Sequence, residues 1–292
     1  MTEPVSALSA PRVPDGFVNG LPMPPLPAKH LRVPKKDPSK WWVLLLVVVM
    51  GMLLFPLAGL IVANAVVTAV VMGGVWWVMR TIKTFVAAHK RGLTLLEAGD
   101  VDGALAMFDE LARRRFILRL QRAGVVFNIG LVQARRGHLD AALSAFSAVH
   151  QSSAMQGSLA ADLGLPLLIA DSYARLGDVV AARLWLEEAR KAPSSRTNLV
   201  HYTEALVLLR EGRFDDAERI YAASWSALED GVVGIHVRTG ADVRVLRAYA
   251  AARRGGSTDA LLAPLRPATP GAAAHLATSW PDLQSFLVDA GL

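Results

Sequence analysis

No cysteine occurs anywhere in the 292 residues, which excludes disulfides, thiolate metal sites and thiol nucleophiles. Compact catalytic signatures are missing as well. There is no HExxH, no GxxxxGK[ST] or GxGxxG phosphate loop and no GxSxG elbow. Histidines stand singly at His30, His89, His138, His150, His201, His236 and His275, and none is in metal-ligand spacing. Asp215-Asp216 and Glu187-Glu188 are adjacent pairs that point different ways on a helix, as solvated faces do. Nothing here gives an enzyme residues to work with. The same absences imply no cofactor, no metal and no small-molecule substrate.

Charge is absent from one long stretch. Between Trp41 and Met79, 39 consecutive positions contain no Asp, Glu, Lys, Arg or His. As one straight helix this run would be about 58 Å long, against a hydrocarbon core of about 30 Å. Two passes fit better, with Pro56, Gly59 and Asn64 as the breakers a central turn needs. Trp41-Trp42 and Trp76-Trp77 stand near the ends, where indoles favour the membrane interface. Lys35, Lys36 and Lys40 precede the run, and Arg80, Lys83, Lys90 and Arg91 follow it. By the positive-inside rule both flanks belong on the cytoplasmic side, so the expectation is a transmembrane helical hairpin over residues 41–80. A single span with one half packed elsewhere is the competing arrangement.

The excess of base is small and divided. Residues 1–40 carry six bases against three acids, and residues 80–292 carry 25 against 22. Neither part argues for nucleic acid. The first 40 residues contain nine prolines, a spacing that blocks helices and ladders, and so read as a disordered, basic, Pro-rich tail. Pro24-Pro25-Leu26-Pro27-Ala28-Lys29 has a PxxPxK form that some SH3 domains bind, although a solvated leader is the commoner use.

Beyond the apolar run the chain repeats itself. A glycine is followed five residues later by an alanine and four residues after that by a bulky side chain. The sets are Gly99, Ala104 and Phe108; Gly137, Ala142 and Phe146; Gly177, Ala182 and Leu186; and Gly212, Ala217 and Tyr221. A weaker fifth set has Gly255 and Ala260, with Pro264 in the bulky place. The pattern describes a helical hairpin. Glycine ends the first helix through a left-handed cap, alanine lets two helices approach, and the bulky residue fills the space one turn on. Asp102, Asp140 and Asp215 fall near the start of each second helix, where the dipole favours negative charge.

This arrangement resembles the tetratricopeptide repeat family, best over Phe127-Asn128-Ile129-Gly130 to Phe146, and in all over roughly residues 85–262. Successive turn glycines lie 38, 40, 35 and 43 residues apart, longer than the family period of 34. The resemblance implies an all-α architecture: an α-solenoid of four to five helix-turn-helix repeats over residues 85–265, with 266–292 as a capping segment. It also implies a scaffold that binds other proteins.

An arginine stands two residues before the turn glycine in four units, at Arg135, Arg175, Arg210 and Arg253. In this family that place borders the concave groove, so the expectation is a basic ladder for acidic segments, with Phe127, Leu131, Asp171, Tyr202 and Leu206 as neighbours. A base in the last turn of a helix is also favoured by the dipole alone. Arg113-Arg114-Arg115 with Arg119 and Arg122 forms a second basic cluster, either a solvated face or a contact for anionic headgroups. The expected function is a membrane-anchored interaction scaffold. The alternative is an accessory or assembly subunit of a membrane enzyme, transport or envelope-biogenesis complex. The Ala-, Arg-, Val- and Gly-rich composition suggests a GC-rich bacterial genome, and the expected location is the bacterial inner membrane, with tail and repeats cytoplasmic.

Overall fold

The computed structural model describes residues 16–18, 21–23, 28–33, 46, 49, 61–114, 118–152, 164–191, 197–231, 240–265 and 273–292. The expected turn at Pro56 and Gly59, the PxxP string at 24–27 and Arg115 lie outside them.

Among the described residues five helical hairpins follow one another. The first pairs the end of α1 (Ile61–Glu97) with α2 (Val101–Arg113). The next three pair α3 (Arg119–Arg135) with α4 (Leu139–Gln151), α5 (Leu165–Leu176) with α6 (Val179–Lys191), and α7 (Thr197–Arg210) with α8 (Phe214–Gly231). In the fifth, α9 (Gly240–Arg253) meets only a four-residue α10 (Asp259–Leu262) and a 3-10 turn, Ala263–Leu265. Pro264, which cannot donate within a helix, stands where the second helix is cut short.

The turn chemistry is the same in all five. Gly99, Gly137, Gly177, Gly212 and Gly255 have φ between +73° and +92°, a conformation costly for any residue with a Cβ. The residue after each glycine donates to a carbonyl five positions back: Asp100 to Leu95, His138 to Gln133, Asp178 to Tyr173, Arg213 to Leu208 and Gly256 to Ala251. That is the bond of a Schellman cap, which satisfies carbonyls the helix end would leave unpaired. Asp100 and Asp178 then cap the second helices, accepting from the amides of Gly103 and Ala181 at 2.9 Å.

Packing explains the rest of the pattern. Ala104, Ala142, Ala182 and Ala217 are fully enclosed, as are Phe108, Phe146, Leu186 and Tyr221. A Cβ placed on Gly130 would sit 2.5 Å from the Phe146 ring, and one on Gly92 2.7 Å from the Phe108 ring. The two Phe rings thus lie directly on bare backbone of the first helix. Burying each contributes about 1.5–3 kcal/mol.

Among the described residues no helix is long and apolar enough to cross a membrane, and no transmembrane hairpin is seen. Instead α1 runs unbroken for 37 residues, from the apolar run into the first repeat. It contains no proline, and Gly73-Gly74 do not interrupt it.

Where the Pro-rich segment is described it carries regular structure, against the expectation of disorder. β1 (Gly16–Val18) pairs antiparallel with β2 (Leu21–Met23), Met23 and Val33 are buried in the main core, and a short 3-10 turn spans Lys29–Leu31. Proline removes only donors, and here the Pro22 carbonyl is what the repeats use. It accepts from Trp185 Nε1 at 3.0 Å and from the Tyr173 hydroxyl at 3.4 Å. At the other end, α11 (Pro281–Asp289) forms over the expected residues. It does not simply extend the stack, because its approach folds back along the edge where the first helices end.

Candidate interaction surface

That edge is built from the arginine row. Each ladder arginine sits in the last turn of its helix, and three of them reach back to the previous unit at a constant offset. Arg135 Nη1 donates to the Leu96 carbonyl at 3.1 Å, Arg175 Nη1 to Ala134 at 3.3 Å and Arg210 Nε to Ala174 at 2.7 Å. Every acceptor lies three residues before a turn glycine, at the negative end of a helix dipole. Arg210 Nη2 adds the Arg175 carbonyl at 2.9 Å. The row therefore fastens one repeat to the next.

This corrects the reading of an open basic groove. Arg175 is only 3% exposed, and its carboxylate neighbour Asp171 stands 4.0 Å away. Burial pushes the Arg210 guanidinium down to about 10, with Tyr249 and Asp282 opposing the shift, so it stays charged at neutral pH. Phe127 and Tyr202 are core residues; the Phe127 ring stands 5.9 Å from that of Phe146. Leu131, Asp171 and Leu206 are buried as well.

Arg253 alone keeps the exposed character expected of the row. It stands over the Phe214 ring at 5.4 Å and lines a cleft of about 480 Å³ with Gly212, Arg213, Asp215, Asp216 and Arg254. Its neighbour Arg254 pairs with Asp215 at 2.8 Å, and Arg213 pairs with Asp216.

The C-terminal segment lies on the same edge. Arg175 Nη2 donates to the His275 carbonyl, and Arg210 Nη2 to that of Ser279 at 3.0 Å. The Arg210 guanidinium stacks on Trp280 at 4.4 Å. Trp280 and Phe286 meet Tyr249 edge-on, with ring centroids 5.4 and 5.6 Å away. Thr278 Oγ1 lies 2.3 Å from where a Gly137 Cβ would be, so the turn glycine of the second repeat makes room for it. Nothing in the composition of residues 273–280 marks this return.

The second basic cluster is also largely spent. Arg113 and Arg114 pair with Asp109 and Glu110 one turn back. Arg122 donates to the carbonyls of Ala112 and Arg114, both at 2.8 Å, and to that of His30 at 3.1 Å. It ties the end of α2 to the N-terminal segment. Outer faces are joined by exposed pairs such as Arg190–Glu204 at 2.8 Å, each worth about 0–1 kcal/mol.

Two histidines sit between repeats. The Asn128 amide donates to His89 Nε2 at 2.8 Å, which holds that nitrogen unprotonated. His150 meets Trp185 edge-on at 5.0 Å. Burial lowers the pKa of both, partly opposed at His150 by Glu188. The folded state thus prefers neutral rings. Stability from these sites is complete above the unfolded value of about 6.5 and is lost as pH falls through the lower folded values. Thermal unfolding should accordingly move to lower temperature between pH 7.5 and pH 5. The shift should be smaller in a His89→Gln, His150→Gln double variant.

A stack of helical hairpins, fastened by arginines at three successive junctions, defines a helical-repeat protein. A tetratricopeptide repeat family model matches residues 89–155, covering the end of α1 through α4 and the first two hairpins; this supports the tetratricopeptide repeat family. No curated protein and no solved structure matches the chain. Among the described residues no group of three His, Cys, Asp or Glu side chains is arranged to hold a metal ion.

Proposed function

We propose that this protein is an interaction scaffold held at a lipid bilayer by the run Trp41 to Met79, presenting its repeats to partner proteins on one side. The scaffold role rests on the repeats, since such arrays act by offering a rigid extended surface rather than by catalysis. The observation that carries the membrane part is on α1. Val75, Trp76, Trp77, Val78 and Met79 are all exposed, and five consecutive positions at 100° apart cover every side of a helix. A helix apolar all round needs a lipid or protein environment. Arg80, at 5.2 Å over the Trp76 ring, marks where charge resumes.

A second reading has one observation in its favour. Among the described residues nothing lies within 4 Å of where a Cβ on Gly73 or Gly74 would stand, which suits close packing by another helix. The protein would then be an accessory subunit of a membrane complex. Carbonate extraction and co-purification in mild detergent test both readings. Retention in the membrane pellet with sub-stoichiometric soluble partners is expected for a scaffold. A fixed ratio to other membrane proteins would select the subunit, and release by carbonate would overturn the anchor. Reporter fusions at residues 30, 60 and 150 should report cytoplasm, exterior and cytoplasm for two passes.

A further inference from the structure

We propose that the edge formed by Arg175, Arg210 and Tyr249 is a peptide-docking site filled by the chain's own C-terminal segment, and that a partner binds by supplying a like segment in its place. The inference rests on the scaffold reading above and names the chemistry of the partner: an extended stretch leading through a tryptophan or similar aromatic into a short amphipathic helix. Three features of the contact make it exchangeable.

First, the arginines read the main chain. Arg175 and Arg210 donate to the carbonyls of His275 and Ser279, groups that any extended segment carries. Second, specificity is concentrated in one aromatic anchor. Trp280 is 5% exposed, packed between the Arg210 guanidinium and Tyr249, while Leu283 and Leu287 supply the buried face of α11. Buried aromatic anchors paired with arginine dominate peptide interfaces in the same way. Third, α11 has nine residues, too few to be helical alone in water, so its helix depends on docking.

In sequence, residues 266–272 join this segment to the fifth hairpin and include Pro267, Pro270 and Gly271. Tethering of this kind gives an effective concentration in the millimolar range. The native segment therefore outcompetes a free peptide until a partner matches or exceeds its fit. The site is selective by self-competition.

The test keeps the full chain. A protease site is placed within 266–271, the folded protein is cut, and a fluorescein-labelled peptide of residues 272–292 is titrated by anisotropy. Cut protein should keep its helical circular dichroism and bind the peptide about 100-fold more tightly than uncut protein. A Trp280→Ala peptide should bind about tenfold more weakly. Equal behaviour of cut and uncut protein, or loss of helicity on cutting, would show the segment to be a fixed part of the fold and overturn the proposal. Equal binding of the Trp280→Ala peptide would overturn the role of the edge. Because the probe is the chain's own sequence, these results are independent of whether any partner is recovered.

Discussion

Trp185→Ala is expected to destabilise the repeat domain by about 3–5 kcal/mol, lowering its melting temperature by roughly 10 °C. The indole is fully buried in α6 and touches three different parts of the chain. It packs in the main core, meets His150 of the previous hairpin edge-on, and donates to the Pro22 carbonyl at 3.0 Å. Truncation opens a cavity and leaves that carbonyl short of a donor. Trp185→Phe keeps most of the volume but not the N–H, so it should recover most of the core stability. It should not recover proteolytic protection of residues 16–33. Differential scanning calorimetry and limited proteolysis on the two variants separate the parts. Wild-type protection of the N-terminal segment in Trp185→Phe would show that the Pro22 bond does not hold it.

Arg175→Leu should cost about 3–5 kcal/mol, although leucine is the better solvent-free side chain. The loss comes from what remains behind. Asp171 is 1% exposed and would lose its cationic neighbour, and the carbonyls of Ala134 and His275 would each lose a donor. Arg175→Lys should rescue little, because a point charge with one nitrogen does not span two carbonyls as a planar guanidinium does. Arg253→Leu offers the comparison within the protein. It occupies the same place in its repeat but is exposed, so a change within about 0.5 kcal/mol is expected. Hydrogen exchange at residues 273–280 should accelerate in the Arg175 variant and not in the Arg253 variant. Matching effects at the two positions would refute the fastening role of the row.

Much of the fold is legible in local chemistry. The glycine needed for a left-handed cap, the alanine needed for close approach and the bulky residue one turn on are each a local demand, and each recurs. Gly130 and Phe146 illustrate this well, since ring and bare backbone are complementary at one contact. The arginine row is legible as a register but not as a role. Its acceptors are main-chain carbonyls of the preceding repeat, and a carbonyl has no letter in the sequence. The same reason hides the return of residues 273–280. The N-terminal strands had a usable signal: Asn19-Gly20 between Phe17-Val18 and Leu21 is a favoured two-residue hairpin loop. The density of proline around it masks that signal. Pro22 serves through its carbonyl, the one backbone group proline retains.

The unbroken α1 also sets an angular relation. A helix advances about 1.5 Å and turns about 100° with each residue. The stretch between Met79 and Phe85 therefore works as a screw thread joining the apolar run to the first repeat. One residue added there would swing the whole array by roughly a quarter turn while lifting it hardly at all. Which face of the repeats looks toward a neighbour is thus written in the helical phase of that stretch, as the keying of a shaft fixes the heading of what it carries.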